Sequence, residues 1–183
     1  MNYKIYDCKN PISDEYFEKV YSLLKNSLPQ VEMRTKRDQK NLISNEKYKI
    51  LVAEKENIFV GFMAIWDLND FCFLEHFAVQ PDMRGQGVGG EILKHLTKIS
   101  DKKIILEVEP PSFTDYAQRR IDFYARNEFL FNDFEYFQPP LQKGADIIPL
   151  KIMSYPTHLT EAEFNDIRKT LYEEVYIFSK TLD

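Results

Sequence analysis

The stretch Phe77-Ala-Val-Gln-Pro-Asp-Met-Arg-Gly-Gln-Gly-Val-Gly-Gly90 determines how the rest of the chain is interpreted. An apolar run that ends at Val79 leads into a loop with glycines at positions 85, 87, 89 and 90, and the apolar spacing that follows is helical. Glycines let the backbone turn tightly so that amide N–H groups converge, and a helix N-terminus adds partial positive charge. The stretch therefore predicts an anion-binding loop, with phosphate or pyrophosphate as the expected anion.

Two other kinds of phosphate-binding loop share some of these glycines. A Walker loop needs a lysine directly after Gly90, where the chain continues with Glu91. A dinucleotide-binding G-x-G-x-x-G matches at Gly85, Gly87 and Gly90, and Glu107 lies near the distance of a ribose-binding acid. That match conflicts with its surroundings, because an antiparallel meander precedes the loop and too few strands follow to build a doubly wound sheet.

Hydrophobic periodicity predicts the elements on both sides of the loop. Strands are expected at 2–7, 48–54, 57–66, 71–79, 102–109, 129–137 and 146–155. Helices are expected at about 12–28, 31–46, 90–100, 114–126 and 160–179, the second of them more exposed and the last opened by a capping box. A crossover through a helix joins 71–79 to 102–109, so these two strands are expected to be parallel. Gly61 marks a bulge or a close contact.

The glycine loop resembles motif A of the GNAT superfamily of N-acetyltransferases. Arg84-Gly-Gln-Gly87-Val-Gly89 fits the family pattern R/Q-x-x-G-x-G/A, and Val79-Gln-Pro81 resembles the V-x-P step that precedes it. A second stretch, Phe123-Tyr-Ala-Arg-Asn-Glu-Phe129, resembles the family's F-Y-x-x-x-G-F. The order of elements agrees with the family from the first strand to about Tyr155.

The resemblance implies an α/β (α+β) fold. The expected architecture is a GNAT-like mixed, mostly antiparallel sheet of six to seven strands, splayed between strands 4 and 5 and flanked by helices, plus an extra C-terminal helix. We expect residues 1–183 to form a single acetyltransferase domain, with a core at 1–156 and the additional helix at 160–179.

The resemblance also implies acetyl-CoA as co-substrate. The pantetheine arm would enter the splay beside strand 71–79, and the amides of residues 85–90 would hold the pyrophosphate. The expected coenzyme A-binding residues are Ala78, Val79, Arg84, Gly85, Gln86, Gly87, Val88, Gly89, Gly90 and Tyr124. The N–H of Val79 would polarise the thioester carbonyl, and Tyr124 would protonate the departing thiolate.

The chain departs from the family pattern at the end of the 114–126 helix. Glu128 stands where the glycine usually ends the helix, so Asn127 is expected to take the left-handed cap instead. Ala117 and Arg120 lie near the place of a frequent family asparagine, so one coenzyme A contact is lost or replaced.

Glu75 is the first candidate for the base that deprotonates the acceptor amine. Strand alternation puts it on one face with Phe73, Phe77 and Val79, and aromatic surroundings predict a raised pKa. The alternative, a core carboxylate paired with Lys or Arg, stays open.

Three further residues are candidates for contacts with the acceptor. Glu107 and Glu109 share a face at the end of their strand, and they are rival bases, contacts for a cationic acceptor, or solvated strand-end charges. Arg34 is either a ligand for an acceptor carboxylate or an ordinary surface arginine.

The composition excludes several other classes of protein. The chain has 183 residues with 44% hydrophobic content and a net charge of −5 without a basic stripe, so no nucleic-acid partner is expected. No apolar run approaches the ~20 residues of a membrane helix, and a cytoplasmic location without membrane contact is expected. Two separated cysteines and three scattered histidines predict no metal site. A C-terminal apolar stripe is expected either to form a homodimer or to pack on the chain's own domain; it comprises Phe164, Ile167, Leu171, Val175 and Phe178.

These observations lead to three functional hypotheses. The first is transfer of an acetyl (acyl) group from acetyl-CoA to a primary amine of a small molecule or peptide, by direct attack on the thioester. The second is a non-catalytic acyl-CoA-binding sensor or interaction module, which would need the same glycine loop. The third is a dinucleotide-dependent enzyme.

Overall fold

A computed structural model of the chain describes residues 1–111 and 113–176. The strands are β1 (Asn2–Tyr6), β2 (Tyr48–Lys55), β3 (Ile58–Asp67), β4 (Phe71–Val79), β5 (Lys103–Val108), β6 (Leu130–Gln138) and β7 (Ile148–Tyr155). The α-helices are α1 (Asp14–Ser27), α2 (Lys36–Asn41), α3 (Val88–Ile99), α4 (Asp115–Arg126) and α5 (Glu161–Thr170). A π-helical turn, Leu171–Tyr176, continues α5, and short 3-10 turns occur at Gln30–Glu32, Leu42–Ser44 and Pro81–Met83.

The strands form one seven-stranded sheet in the order β1-β2-β3-β4-β5-β7-β6. Every neighbouring pair is antiparallel except β4 and β5, which are parallel. The β4–β5 ladder runs only from Phe71 opposite Lys103 to Leu74 opposite Leu106, so the two strands separate beyond that point. The expected mixed sheet, splayed between its fourth and fifth strands, is confirmed.

A β-bulge at Glu75 reverses the faces of β4 at the point where the splay begins. Ala64 of β3 lies opposite His76 and Ile65 lies opposite Leu74, which leaves Glu75 as the extra residue. An extra residue in one strand shifts the alternation of side chains by one position. The prediction that Phe73, Glu75, Phe77 and Val79 share a face is therefore wrong.

Two apolar cores lie on opposite faces of the sheet. The first contains Phe73 of β4 and the buried faces of α1, α5 and the π-helical turn. The second contains α3 and α4, with Phe77 and Val79 packed against it. Glu75 accepts a hydrogen bond from Trp66, a member of the first core, so its side chain lies on the α1 side. β4 thus presents its carboxylate and its last apolar residues to different layers.

Gly61 of β3 marks a close contact, one of the two alternatives that the sequence left open. A Cβ at this position would lie 2.7 Å from the carbonyl oxygen of Ala78 and 3.0 Å from Cδ1 of Ile92. Only glycine lets β3 approach the end of β4 and helix α3 this closely.

The predicted helix at 31–46 is wrong, because the segment contains only the short α2 between 3-10 turns. Met33 has extended backbone angles, and the Thr35 hydroxyl caps the new helix by accepting from the Asp38 N–H. This interruption turns Arg34 into the protein, where a continuous exposed helix would have left it in solvent.

The end of α4 is a Schellman motif built around a non-glycine residue. The N–H of Phe129 donates to the carbonyl of Tyr124 at 3.1 Å, and the N–H of Glu128 donates to Ala125 at 3.0 Å. Glu128 has a φ of 69°, whereas Asn127 has a φ of −103°. The expectation that Asn127 takes the left-handed position is wrong, and Glu128 adopts it in place of the family's glycine.

The predicted C-terminal helix begins as expected. The Thr160 hydroxyl accepts from the N–H of Glu163, whose carboxylate accepts from the N–H of Thr160, which completes the capping box. The α-helix ends at Thr170 and continues as the π-helical turn to Tyr176, while Phe178 and the rest of the predicted span lie outside the described residues. No helix in the described part of the chain is long and apolar enough to span a membrane.

Replacing Glu128 with glycine is expected to stabilise the protein. A side chain at positive φ destabilises the folded state by about 1–2 kcal/mol. Glycine relieves this strain, but it also increases the conformational entropy of the unfolded chain, which offsets part of the gain. We expect Glu128→Gly to raise the free energy of unfolding by roughly 1 kcal/mol in urea titrations. Glu128→Ala removes the same charge and keeps the left-handed strain, so equal stabilisation by both variants would contradict this explanation.

Candidate active site

The glycine loop opens α3 with backbone angles that only glycine adopts readily. Gly85 and Gly87 have φ values of 74° and 80°, and Gly87 is the N-cap residue. A Cβ on either glycine would meet nothing within 4 Å, so both face open space. The first intrahelical bond runs from the Glu91 N–H to the Gly87 carbonyl at 3.1 Å, which leaves the N–H groups of residues 88–90 directed outward at the positive end of the helix.

A cavity of 630 Å³ lies beside this loop, between the end of β4 and the exposed face of α4. Its basic lining residues are Arg84, Arg119, Arg120 and Arg126, and no acidic residue is among the described residues that line it. The chain as a whole carries a net charge of −5. Positive charge is therefore concentrated where the backbone amides converge, which favours a polyanionic ligand.

The structure brings most of the predicted coenzyme A-binding residues together around this cavity. Those that line it are Ala78, Val79, Arg84, Gly85, Gly87, Gly89, Gly90 and Tyr124. Two others are placed differently: the Gln86 side chain donates to the Asp82 carbonyl at 2.6 Å, and Val88 is buried in the core under α3. Their side chains shape the loop, and any ligand contact from them would come from the backbone.

The N–H of Val79 points into the splay between β4 and β5. The next N–H along the strand, that of Gln80, donates to Val60 on β3 at 2.9 Å. Because N–H directions alternate along a strand, the Val79 amide faces away from β3. The Val79 carbonyl points the same way and accepts from Nε of Arg84 at 3.0 Å.

Tyr124 is held at the cavity wall by the Schellman motif and by aromatic packing. Its ring lies 5.3 Å from that of Phe123 and 5.8 Å from that of Phe129. Burial raises the pKa of the phenol, and the nearby Arg120 guanidinium opposes that shift only in part. The hydroxyl is therefore protonated at neutral pH.

A second cavity, of 540 Å³, meets the first at the end of β4. The two share Phe77, Ala78, Val79, Arg84, Tyr116 and Arg120. The other walls of the second cavity come from the C-terminal end of α1 (residues 26–29), from Glu109 and from Thr114. A molecule in each cavity would meet at the last residues of β4.

Glu75 and Arg34 form a buried ion pair. Their side chains are 2% and 0% exposed, and Nη1 of Arg34 donates to the Glu75 carboxylate, which also accepts from Nε1 of Trp66 at 3.1 Å. Burial alone would raise the pKa of Glu75, but the charge of Arg34, with smaller contributions from His76 and the two hydrogen bonds, holds it below its usual range. The predicted raised pKa of Glu75 is wrong, and the alternative of a core carboxylate paired with a basic residue is confirmed. For Arg34, the alternative of an ordinary surface arginine is wrong.

Glu107 has the raised pKa that was predicted for Glu75. It is the first β5 residue beyond the β4–β5 ladder, and its carboxyl group is buried although the residue as a whole is partly exposed. The hydroxyls of Tyr136 and Tyr176 donate to its carboxylate. Burial nevertheless raises its pKa to about 7, and among the described residues no cation pairs with it as Arg34 pairs with Glu75.

Tyr116, Arg119 and Arg126 on α4 line the first cavity and were not predicted from the sequence, whereas Arg120 was named only as lying near the place of a family asparagine. Tyr116, Arg120, Phe123 and Asn127 all line the first cavity. Their spacing of four, three and four residues places them on one face of a helix. This spacing, counted along the helix that contains Tyr124, would have identified these four residues from the sequence.

Metal coordination has no obvious place at this site. Among residues 1–111 and 113–176, no group of three or more His, Cys, Asp or Glu side chains is arranged to hold a metal ion. Cys72 is buried and Cys8 partly buried, and both are free thiols.

The splayed sheet with an anion-binding loop at the end of β4 defines a fold of the GNAT acetyltransferase type. Residues 46–129 match the family model described as "Acetyltransferase (GNAT) domain", a span from just before β2 to the Schellman motif after α4. The chain is similar to GNAT acetyltransferases in sequence and in fold.

Individual relatives agree with this assignment. The Bacillus subtilis (strain 168) protein named "Putative acetyltransferase YjbC" is 27% identical over 160 residues, which cover 86% of this chain and 81% of that protein. A structure described as a "Putative acetyltransferase from GNAT family" of Bacteroides thetaiotaomicron superimposes with a TM-score of 0.87 at 28% identity, over 96% of this chain and 98% of that one. A GNAT acetyltransferase from Elizabethkingia anophelis, solved with acetyl-CoA bound, has a TM-score of 0.57 at 14% identity, over 84% and 95% of the two chains.

Breaking the ion pair of Arg34 is expected to destabilise the protein strongly. Arg34→Met leaves the Glu75 carboxylate buried without its cation, which costs about 3–5 kcal/mol of unfolding free energy. The double variant Arg34→Met/Glu75→Gln removes the stranded charge and should recover much of that loss in chemical denaturation. As a control, Lys36→Met breaks the exposed pair with Glu18 and should cost less than about 1 kcal/mol. Equal losses for Arg34→Met and Lys36→Met would contradict the proposed importance of the buried pair.

Proposed function

We propose that the protein transfers an acetyl group from acetyl-CoA to a primary amine of a small molecule or peptide, by direct attack of the amine on the thioester. The observation that carries this proposal is the arginine-lined cavity, which runs from the glycine loop to the uncovered edge of β4. The acetyl-CoA bound to the Elizabethkingia anophelis relative supports the choice of donor.

The first cavity suits the phosphates of coenzyme A. The N–H groups of residues 88–90 supply the donors for the pyrophosphate, and Gly85 and Gly87 leave room for it to approach the backbone. The arginines around the cavity supply the opposite charge.

The pantetheine arm would continue along the free edge of β4. The Glu75 side chain is only 2% exposed although the residue as a whole is partly buried, so the exposure belongs to its main chain. Uncovered strand edges pair readily with an extended amide-containing chain. This path brings the thioester to the N–H of Val79, which we assign as the donor to the oxyanion.

The acceptor would enter through the second cavity, on the opposite side of the β4 edge. Glu109 lines this cavity, and the partly buried Glu32 interacts electrostatically with both Glu109 and Arg120. Glu109 offers an acidic contact for a cationic amine, and it lies in the same cavity as Arg84 and Arg120.

Glu107 is assigned as the base and Tyr124 as the acid. The amine loses a proton to the Glu107 carboxylate as its nitrogen attacks the carbonyl carbon, and the resulting oxyanion is stabilised by the Val79 amide. Collapse of the tetrahedral intermediate breaks the C–S bond, and the departing thiolate takes the proton of Tyr124. A carboxylate with a pKa of about 7 is matched to this task, whereas the charge of Arg34 holds the pKa of Glu75 below its usual range.

The glycine loop is tested by placing a charge in it. Gly87→Glu puts a carboxylate into the pyrophosphate position and is expected to weaken acetyl-CoA binding at least about 100-fold by calorimetric titration. Gly144→Glu is the matched control, because Gly144 has a φ of 79°, also faces open space and does not line the cavity. Equal affinity of the folded Gly87→Glu variant and the wild type would contradict the assignment of the loop.

The two proton-handling groups are tested by turnover. Thiol release from acetyl-CoA is measured with a polyamine, an aminoglycoside and a peptide with a free N-terminus as acceptors. Glu107→Gln and Tyr124→Phe are each expected to lower kcat by about 10²–10⁴-fold with little change in acetyl-CoA affinity. Tight acetyl-CoA binding without acetylation of any amine would contradict the proposal and favour a non-catalytic acyl-CoA-binding protein.

A further inference from the structure

The carboxylate of Glu107 is held by two tyrosines from different parts of the chain. Tyr136 lies on β6, and its hydroxyl donates to Oε1. Tyr176 lies in the π-helical turn after α5, and its hydroxyl lies 2.6 Å from Oε1 and 2.7 Å from Oε2. Both phenols are buried, so neither hydroxyl exchanges freely with solvent.

This arrangement leaves one oxygen of the carboxylate available for a proton. Oε1 accepts from Tyr136, and the single hydroxyl proton of Tyr176 is shared between Oε1 and Oε2; among the described residues no other donor reaches Oε2. A carboxylate oxygen has two lone pairs, so Oε2 retains acceptor capacity. Two fixed donors also restrict rotation of the carboxylate, which would otherwise be free at the end of a flexible side chain.

The π-helical turn is also connected to Glu75, through Arg34. Nη2 of Arg34 donates to the carbonyl of Val175 at 3.2 Å, while Nη1 of the same guanidinium binds Glu75. The turn thus contacts Arg34, the ion-pair partner of Glu75, through Val175. It also supplies Tyr176, which donates to Glu107. π-helical turns are rare and occur frequently at functional sites.

We propose that Tyr136 and Tyr176 are positioning residues that orient the Glu107 carboxylate and keep it ionised for proton transfer from the acceptor. Tyr176 then takes part in the reaction indirectly, through Glu107, although it lies beyond the span that the family model matches. This inference rests on the proposed function, in which Glu107 is the base.

The electrostatic surroundings of Glu107 determine the direction of the expected change. Glu75 on β4 and Glu32 at the end of the first 3-10 turn raise the proton affinity of Glu107, and Tyr172 also interacts with it. The hydroxyls of Tyr136 and Tyr176 act in the opposite direction, because a donated hydrogen bond stabilises the ionised form. Removal of either hydroxyl must therefore shift the titration of Glu107 upward.

The test compares Tyr136→Phe and Tyr176→Phe with the control Tyr172→Phe, whose hydroxyl donates to the Phe137 carbonyl and not to Glu107. The carboxyl titration is followed by NMR of protein labelled with ¹³C at the glutamate side-chain carboxyl, and the Glu107 resonance is assigned from its loss in Glu107→Gln. This measurement needs no acceptor. The pH profile of kcat/KM is then recorded with acetyl-CoA and the best amine of the panel.

We expect the midpoint of Glu107 to rise by roughly one pH unit in Tyr136→Phe and in Tyr176→Phe. The acidic limb of the kcat/KM profile should move upward by the same amount, while Tyr172→Phe resembles the wild type in both measurements. A midpoint that stays in place in both variants overturns the inference, and so does a moved midpoint without a moved acidic limb. Absence of acetyl transfer in the wild type overturns the proposed function instead, and the NMR titration still shows whether the tyrosines act on Glu107.

Discussion

The hydrogen bonds between β4 and β5 end at Leu74 and Leu106, and the bulge at Glu75 follows in the next residue. The separation of the strands uncovers a backbone edge inside the protein, where an unpaired amide would otherwise be costly. The bulge turns Glu75 toward α1 while the later residues of β4 face α3 and α4. The end of the β4–β5 ladder and the bulge at Glu75 together determine where the glycine loop and the two cavities lie. They also determine the positions of the carboxylates of Glu75 and Glu107.

The order of elements was accessible from the sequence because each element carries a local signal. Apolar alternation located all seven strands within two residues, and Thr160 with Glu163 marked the start of α5. The failures lie where a tertiary contact overrides a local preference. The segment 31–46 has a helical composition, but the cation required by Glu75 draws Arg34 inward and interrupts the helix. Glu128 likewise accepts a left-handed conformation because Phe129 must pack on Tyr124.

The candidate site was predicted only in part, and there is a physical reason why some of its residues could be predicted and others could not. The glycines and Arg84 line the cavity as predicted, because the position of this loop follows from short-range chain geometry. The sequence did not predict that the raised pKa belongs to Glu107 and not to Glu75. This outcome depends on the bulge in β4 and on the pairing of Arg34 with Glu75. Tyr136 and Tyr176 reach Glu107 from 29 and 69 residues away, and periodicity within one strand or helix contains no information on such contacts.

The two cavities share the last residues of β4 together with Arg84, Tyr116 and Arg120, and their remaining walls are separate. In the proposed function, the donor lies on the side built by the α3 loop and α4, and the acceptor on the side built by the end of α1 and the segment after β5. Substitutions at residues 26–29, which line the second cavity and not the first, would then change which acceptor fits without altering the contacts with the donor. Under the proposed reaction, such a division lets selection diversify the acceptor half of the site while the donor half is inherited intact.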